Sequence, residues 1–219
     1  MKNHISTYLP TRSIQKSFII AISGLLLCGC VSKAVYDEKQ EGLTACQSSL
    51  QQCGDRLQNM TDIAAELHTQ EIELRKMLRK EILAQDIVIE RLKDRLSVRM
   101  LDRVLFDTGS TLILSRGESV LNKIGSSIKD KDYLIRVEGH TDNLPVSDEL
   151  KSKFFSNWEL SCARAASVVR YLEHGIKIDP RRLEAVGYSK YRPIVANDTK
   201  QKRQINRRVE IVITGMNVL

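Results

Sequence analysis

From Tyr36 to Met100 the chain has no proline and only two glycines, Gly42 and Gly54. Within this stretch, apolar or small residues fall at Leu43, Cys46, Leu50, Cys53, Leu57, Met60, Ala64 and Leu67, then at Leu74 and Leu78. Steps of three and four lay one apolar stripe along a helix, the seam of a heptad repeat. Glu71 interrupts the seam, which resumes four residues out of phase as Leu78, Ile82, Gln85, Ile89, Leu92 and Leu96. A slip of four reads as a stutter that relaxes a supercoil. The pattern predicts a long helix over 36–96, either a coiled coil or an amphipathic helix folded back on the C-terminal domain. If all 65 residues of 36–100 were helical, the rod would be on the order of 95 Å long. Cys46 and Cys53 occupy equivalent seam positions. Two helical turns apart, they cannot bridge each other. In a parallel homodimer through residues 43–96 each would face its twin, as an interchain disulfide or as packed free thiols.

The N-terminus has the texture of an address. Residues 1–17 carry Lys2, Arg12 and Lys16 and no acid, and Phe18 to Leu27 is almost wholly apolar. Even extended to Val31 the apolar run is about 14 residues, short of the roughly 20 that a spanning helix needs. A basic region followed by a short apolar one marks a signal peptide. Its ending, Leu27-Cys28-Gly29-Cys30, resembles the bacterial lipoprotein signal. That resemblance implies cleavage of residues 1–29, acylation of Cys30 and a lipidated tether over 30–35. Neither Val31 nor Ser32 is Asp, so it implies the outer membrane, facing the periplasm. The competing account is a soluble periplasmic protein with two leftover cysteines.

The formal charge of +7 suits an anionic partner, whether nucleic acid, acidic lipid or cell wall. Export disfavours nucleic acid. The five cysteines form no Cys-x-x-Cys pair and the four histidines are scattered, so no metal site is expected. With no acid/base pair or metal triad in view, neither a catalytic residue nor a cofactor is expected.

Texture changes near Ser97, and residues 97–214 read as one α+β domain with a tail over 215–219. Val98 to Phe106 suggests a strand. Ser115 and Glu118 suggest a capping box opening a helix striped by Val120, Leu121, Ile124 and Ile128. Tyr133 to Val137 reads as a strand. Ser156 and Glu159 form a second capping box, opening a helix to about His174 with Gly175 as C-cap. Leu183 to Val186 and Val209 to Ile213 complete the strands. The expected fold is an α/β sandwich: a mixed sheet of about four strands with two main helices, preceded by the long helix.

Four segments then appear in order: Val137-Glu138-Gly139-His140-Thr141-Asp142-Asn143, Asn157-Trp158-Glu159-Leu160-Ser161-Cys162-Ala163-Arg164-Ala165, Gly187-Tyr188, and Asn206-Arg207-Arg208-Val209-Glu210-Ile211. Together they resemble the OmpA-like peptidoglycan-binding domain shared by peptidoglycan-associated lipoproteins and flagellar stator subunits. The long loop after Asp142 and the Asn-Trp-Glu-Leu-Ser wording lean toward the stator version, although a lipoprotein signal stands where the stator has a membrane helix.

Asn157, Ser161 and Arg164 share one face in the first two turns of their helix, where free N–H groups and the dipole favour an anion. Arg adds a planar fork suited to a carboxylate. The resemblance implies that Asp142 and Arg164 hold the ammonium and carboxylate of diaminopimelate from wall peptides. It implies further that Thr141 and Asn157 line the pocket and that Arg207 helps close it. His140 is expected to be structural, and Cys162 a small buried residue. The expected function is a non-enzymatic outer-membrane lipoprotein that binds peptidoglycan and tethers the envelope layers. The alternative is the wall-anchoring part of a larger envelope complex, such as a secretion system or stator-like machine.

Overall fold

The computed structural model describes residues 32–92 and 94–216. The proposed signal peptide, Cys30 and the last three tail residues lie outside the described residues. The chain divides between Asp55 and Arg56 into two compact units. Helix α1, Lys33–Met77, supplies the described part of the first unit beyond Ser32. There Leu43, Cys46, Leu50 and Cys53 are all exposed.

In the second unit the same periodicity has a different use. Ile63, Leu67, Leu74 and Leu78 are buried in the apolar cluster that also takes in the sheet. Burying a leucine contributes about 1.5–3 kcal/mol, and doing so within one chain avoids the entropy of association. Of the two accounts of the seam, the fold-back therefore describes residues 63–78. One polar residue, Gln70, lies within this buried stripe.

The helical reading of residues 78–96 is corrected. After a short helical turn at Arg79–Leu83, Gln85 adopts φ 58° and the chain enters strand β1, Ile87–Arg91. Ile87, Val88 and Ile89 are consecutive β-branched residues, stiff at χ1 and better suited to a pleated surface than a helix. β1 pairs antiparallel with β2, Arg95–Leu101, with Ile87 opposite Met100 and Arg91 opposite Leu96. Ile89 and Leu96, read as seam residues, instead point into the core from neighbouring strands.

Three more strands complete the sheet: β3 at Tyr133–His140, β4 at Leu183–Gly187 and β5 at Arg208–Gly215. The order is β1-β2-β5-β3-β4, antiparallel except for the parallel pair β3–β4. Helices α2, Ser115–Ile128, and α3, Asn157–Tyr171, contribute Val120, Leu121, Ile124, Ala165 and Val168 to the core. The mixed five-stranded sheet with two main helices and a long leading helix agrees with the expected fold class, with one strand more than expected.

Local details divide. The Ser156–Glu159 capping box forms: Ser156 Oγ accepts from Trp158 N, and Glu159 accepts from Ser156 N at 2.8 Å. The one at Ser115 does not, because α2 starts at Ser115 and Leu114 occupies the cap. Gly175 is not the stop either. The chain continues through a wide turn, Leu172–Ile176, and Lys177 takes the left-handed conformation at φ 70°. Cys162 is exposed rather than buried.

Two glycines set the height of α3 over the sheet. Gly139 and Gly187 stand opposite each other on β3 and β4. A Cβ on Gly139 would collide with the Ser161 backbone, and one on Gly187 would lie 2.6 Å from Cys162 N. Both leave room for backbone-close packing of α3 where the parallel strands end.

Candidate functional site

β3 ends at His140, so Thr141 and Asp142 leave the sheet beside the first turns of α3. Thr141 N donates to Ser189 O, and Ser189 N donates to Ser161 Oγ, at 2.9 and 3.1 Å. Ser161 thus ties α3 to the loop after β4, and that loop to the end of β3. Asp142 then folds into a tight turn in which Leu144 N donates to its Oδ1 at 2.9 Å. Asn157 Nδ2 donates to Leu144 O at 2.8 Å and braces the turn against the start of α3. Thr141 and Asn157 act here through the backbone they hold.

The charged centre is an alternating row of four side chains. Arg207, the residue just before β5, donates through Nη1 to Asp142 Oδ2 at 2.6 Å. Its Nε is 3.4 Å from Asp102 Oδ2, and the same oxygen lies 3.3 Å from Arg164 Nη1. Arg164 also donates through Nε to Ser110 O at 3.2 Å and lies over the Phe106 ring, 5.4 Å from its centroid. The row reads Asp142–Arg207–Asp102–Arg164, so the nearest base to Asp142 is Arg207 and the acid on Arg164 is Asp102.

Burial is deeper than an open clamp implies. The Asp142 and Arg164 side chains are 7% and 5% exposed, whereas Arg207 keeps 29%. Burial raises the Asp102 carboxyl above its ordinary range, against the opposing pull of Arg164 and Arg207. Burial likewise lowers the Arg164 guanidinium, against the attraction of Asp102. The row sets two acids and two bases in alternation, and only Arg207 among them keeps substantial contact with water.

These groups wall a cavity of about 410 Å³ that is also lined by Leu144–Ser147, Leu150, Lys200 and Gln204. All five sequence-predicted site residues of the folded domain line it or adjoin it: Thr141, Asp142, Asn157, Arg164 and Arg207. Sequence reasoning missed Asp102. It stands in a helical turn, Asp102–Leu105, whose first amide donates to Arg207 O at 3.0 Å. A signal existed: in the alternation Val98, Met100, Asp102, Val104, Phe106 the one charged residue interrupts an inward row.

His140 sits outside this cavity. It is 3% exposed, neither ring nitrogen has a hydrogen-bond partner among the described residues, and the ring stacks on Tyr188 at 5.3 Å. The Glu138 carboxylate is 3.8 Å away, beyond hydrogen-bonding distance. Among the described residues, no cluster of His, Cys, Asp and Glu is arranged to hold a metal ion. No described helix is long and apolar enough to cross a membrane.

Residues 105–207 match the OmpA family. Motility protein B of Bacillus subtilis is 30% identical over 149 residues, 68% of this chain and 56% of that protein. The chain spans about half the length of the curated relatives it matches. Among solved structures, a putative MotB-like protein from Desulfovibrio vulgaris superposes with a TM-score of 0.64 at 26% identity, covering 71% of this chain and 98% of that one. The cell wall anchor of the type VI secretion system from Pseudomonas aeruginosa gives 0.59 at 31% identity, covering 65% and 96%.

Proposed function

We propose that this chain, whose residues 105–207 form an OmpA family domain, grips peptidoglycan by seating the free end of a diaminopimelate side chain in the Asp142–Arg164 cavity. The observation that carries this reading is the alternating row Asp142–Arg207–Asp102–Arg164 on one wall. An ammonium has Asp142 and Asp102 to approach. Each carboxylate oxygen can accept more than one hydrogen bond, so the Arg207 and Leu144 contacts do not exhaust Asp142. A carboxylate has the guanidinium forks of Arg164 and Arg207. Such a site binds and releases. On this reading the protein acts as an anchor rather than an enzyme.

The anchor's other end is a lipid on Cys30, inserted in the outer membrane from the periplasmic side. Two or three acyl chains give stable attachment where one is marginal. The wall domain would then tether the two envelope layers. The type VI cell wall anchor and the motility proteins among the chain's similar proteins favour a second reading, in which wall binding fixes a larger envelope complex in place.

The test is co-sedimentation of the folded protein with purified sacculi whose stems contain diaminopimelate. Asp142→Ala and Arg207→Ala should each weaken binding by more than tenfold, since removing one partner of a desolvated charge contact costs about 2–5 kcal/mol. Full retention by a folded Asp142→Ala protein would overturn the cavity as the binding site. Crosslinking in intact cells separates a free tether from a machine component.

A further inference from the structure

The charged cavity shares two lining residues, Arg103 and Gln204, with a second hollow of about 560 Å³. This hollow lies against the edge strand β1 and the short helix Lys200–Asn206. Its apolar surface includes Val88 and Ile205, 43% and 39% exposed, and the half-buried Leu101. Three guanidiniums line it, Arg75, Arg99 and Arg103, against one carboxylate, Asp86. Arg103 lies 2.9 Å from Asp86 yet keeps 44% of its side chain exposed. Arg75 Nη2 donates to Ile89 O at 2.6 Å, so a carbonyl of β1 is already used and an added strand would have to displace that contact. The lining suits a short ligand with small apolar groups and an anionic end.

We infer that this hollow takes the carboxyl-terminal D-alanines of the wall peptide whose diaminopimelate occupies the charged cavity. Each D-alanine brings a methyl group for Val88, Leu101 and Ile205, and the last brings a carboxylate for the guanidiniums. The shared lining carries the choice of occupant. A ligand that leaves the cavity past Arg103 and Gln204 enters this hollow, and in the stem the D-alanines follow diaminopimelate directly. Each extended residue adds about 3.5 Å of reach. Gln204, at the junction, has a side-chain amide able to bond a peptide group that passes between the two. This inference rests on the proposed function and adds a second subsite to it.

Three sugar-free peptides separate the two ideas: a stem tripeptide ending in diaminopimelate, the same stem extended by two D-alanines, and that pentapeptide as its carboxyl-terminal amide. Calorimetry should show the pentapeptide binding roughly three- to tenfold more tightly than the tripeptide, the range of a buried methyl plus a partly exposed charge contact. The amide should lose most of that margin. Ile205→Asp sets an acid where the terminal carboxylate would lie, so the margin should vanish while affinity for the tripeptide stays. Val88→Asp, on β1 instead of the helix, should do the same, and it preserves the test if the first variant melts early. Equal affinity for tripeptide and pentapeptide, or a margin that survives both variants, overturns the D-alanine subsite and leaves the cavity standing. A wild-type dimer in sedimentation that Val88→Asp dissolves would give the hollow to a second copy and also overturn the subsite. Failure of all three peptides to bind the wild-type protein overturns both readings.

Discussion

Arg164 meets Asp102 across 62 residues of chain, Nη1 to Oδ2 at 3.3 Å, with side chains 5% and 13% exposed. The pair joins the capped helix α3 to the turn after β2, and so links the cavity wall to the strand order of the sheet. Its energetics differ from those of an exposed salt bridge, because both groups have given up most of their water.

Truncating one partner should therefore unfold as well as unbind. Arg164→Ala leaves the buried Asp102 carboxylate with Arg207 as its remaining cation and is expected to cost about 3 kcal/mol, a fall in Tm on the order of 10 °C for a domain this size. Adding Asp102→Asn should recover much of that stability without recovering wall binding. Melting curves for the single and double variants decide it. Equal Tm for wild type and Arg164→Ala would mean that the pair contributes nothing to the fold.

His140 gives the domain a dependence on pH. Burial holds its imidazole below the ordinary value, so the folded state favours the neutral ring. The stabilising contribution is then complete above the unfolded value near 6.5 and is lost as pH falls from there toward the lowered folded value. His140→Phe keeps a ring against Tyr188 and removes the titration. Denaturant midpoints from pH 7.5 to 5 should fall for the wild type and fall less steeply for the variant. Parallel profiles would show that another group carries the effect.

Cys46 and Cys53 are exposed on α1 together with Leu43 and Leu50, at the heptad-equivalent positions that a parallel second copy would match. Full-length protein recovered from the periplasm should run as a dimer on non-reducing gels and as a monomer after reduction. Changing both cysteines to Ser should abolish the covalent dimer. A monomer under every oxidising condition would leave these residues as free thiols.

Cys30→Ala should end incorporation of a palmitate analogue and move the protein from the membrane to the soluble periplasmic fraction. Incorporation that persists would transfer the lipid site to Cys28.

What the sequence determined by itself is local. The spacing of leucines made α1 a helix, the Ser156–Glu159 box placed the start of α3, and four short segments marked the loops that meet at the cavity. These features are legible because hydrogen bonds and side-chain periodicity act over three or four residues. Tertiary structure decided the partners. Leu67, Leu74 and Leu78 could have faced a second helix, but in the folded chain they cover the core. Ile89 and Leu96 fit a heptad on paper and a hairpin in space, because consecutive β-branched residues gain more on a sheet edge. Asp142 took Arg207, and Arg164 took Asp102, because the register of β5 between β2 and β3 brings Arg207 between the two acids. Coulomb attraction depends on distance, and across 62 and 65 residues of chain only the completed sheet sets that distance.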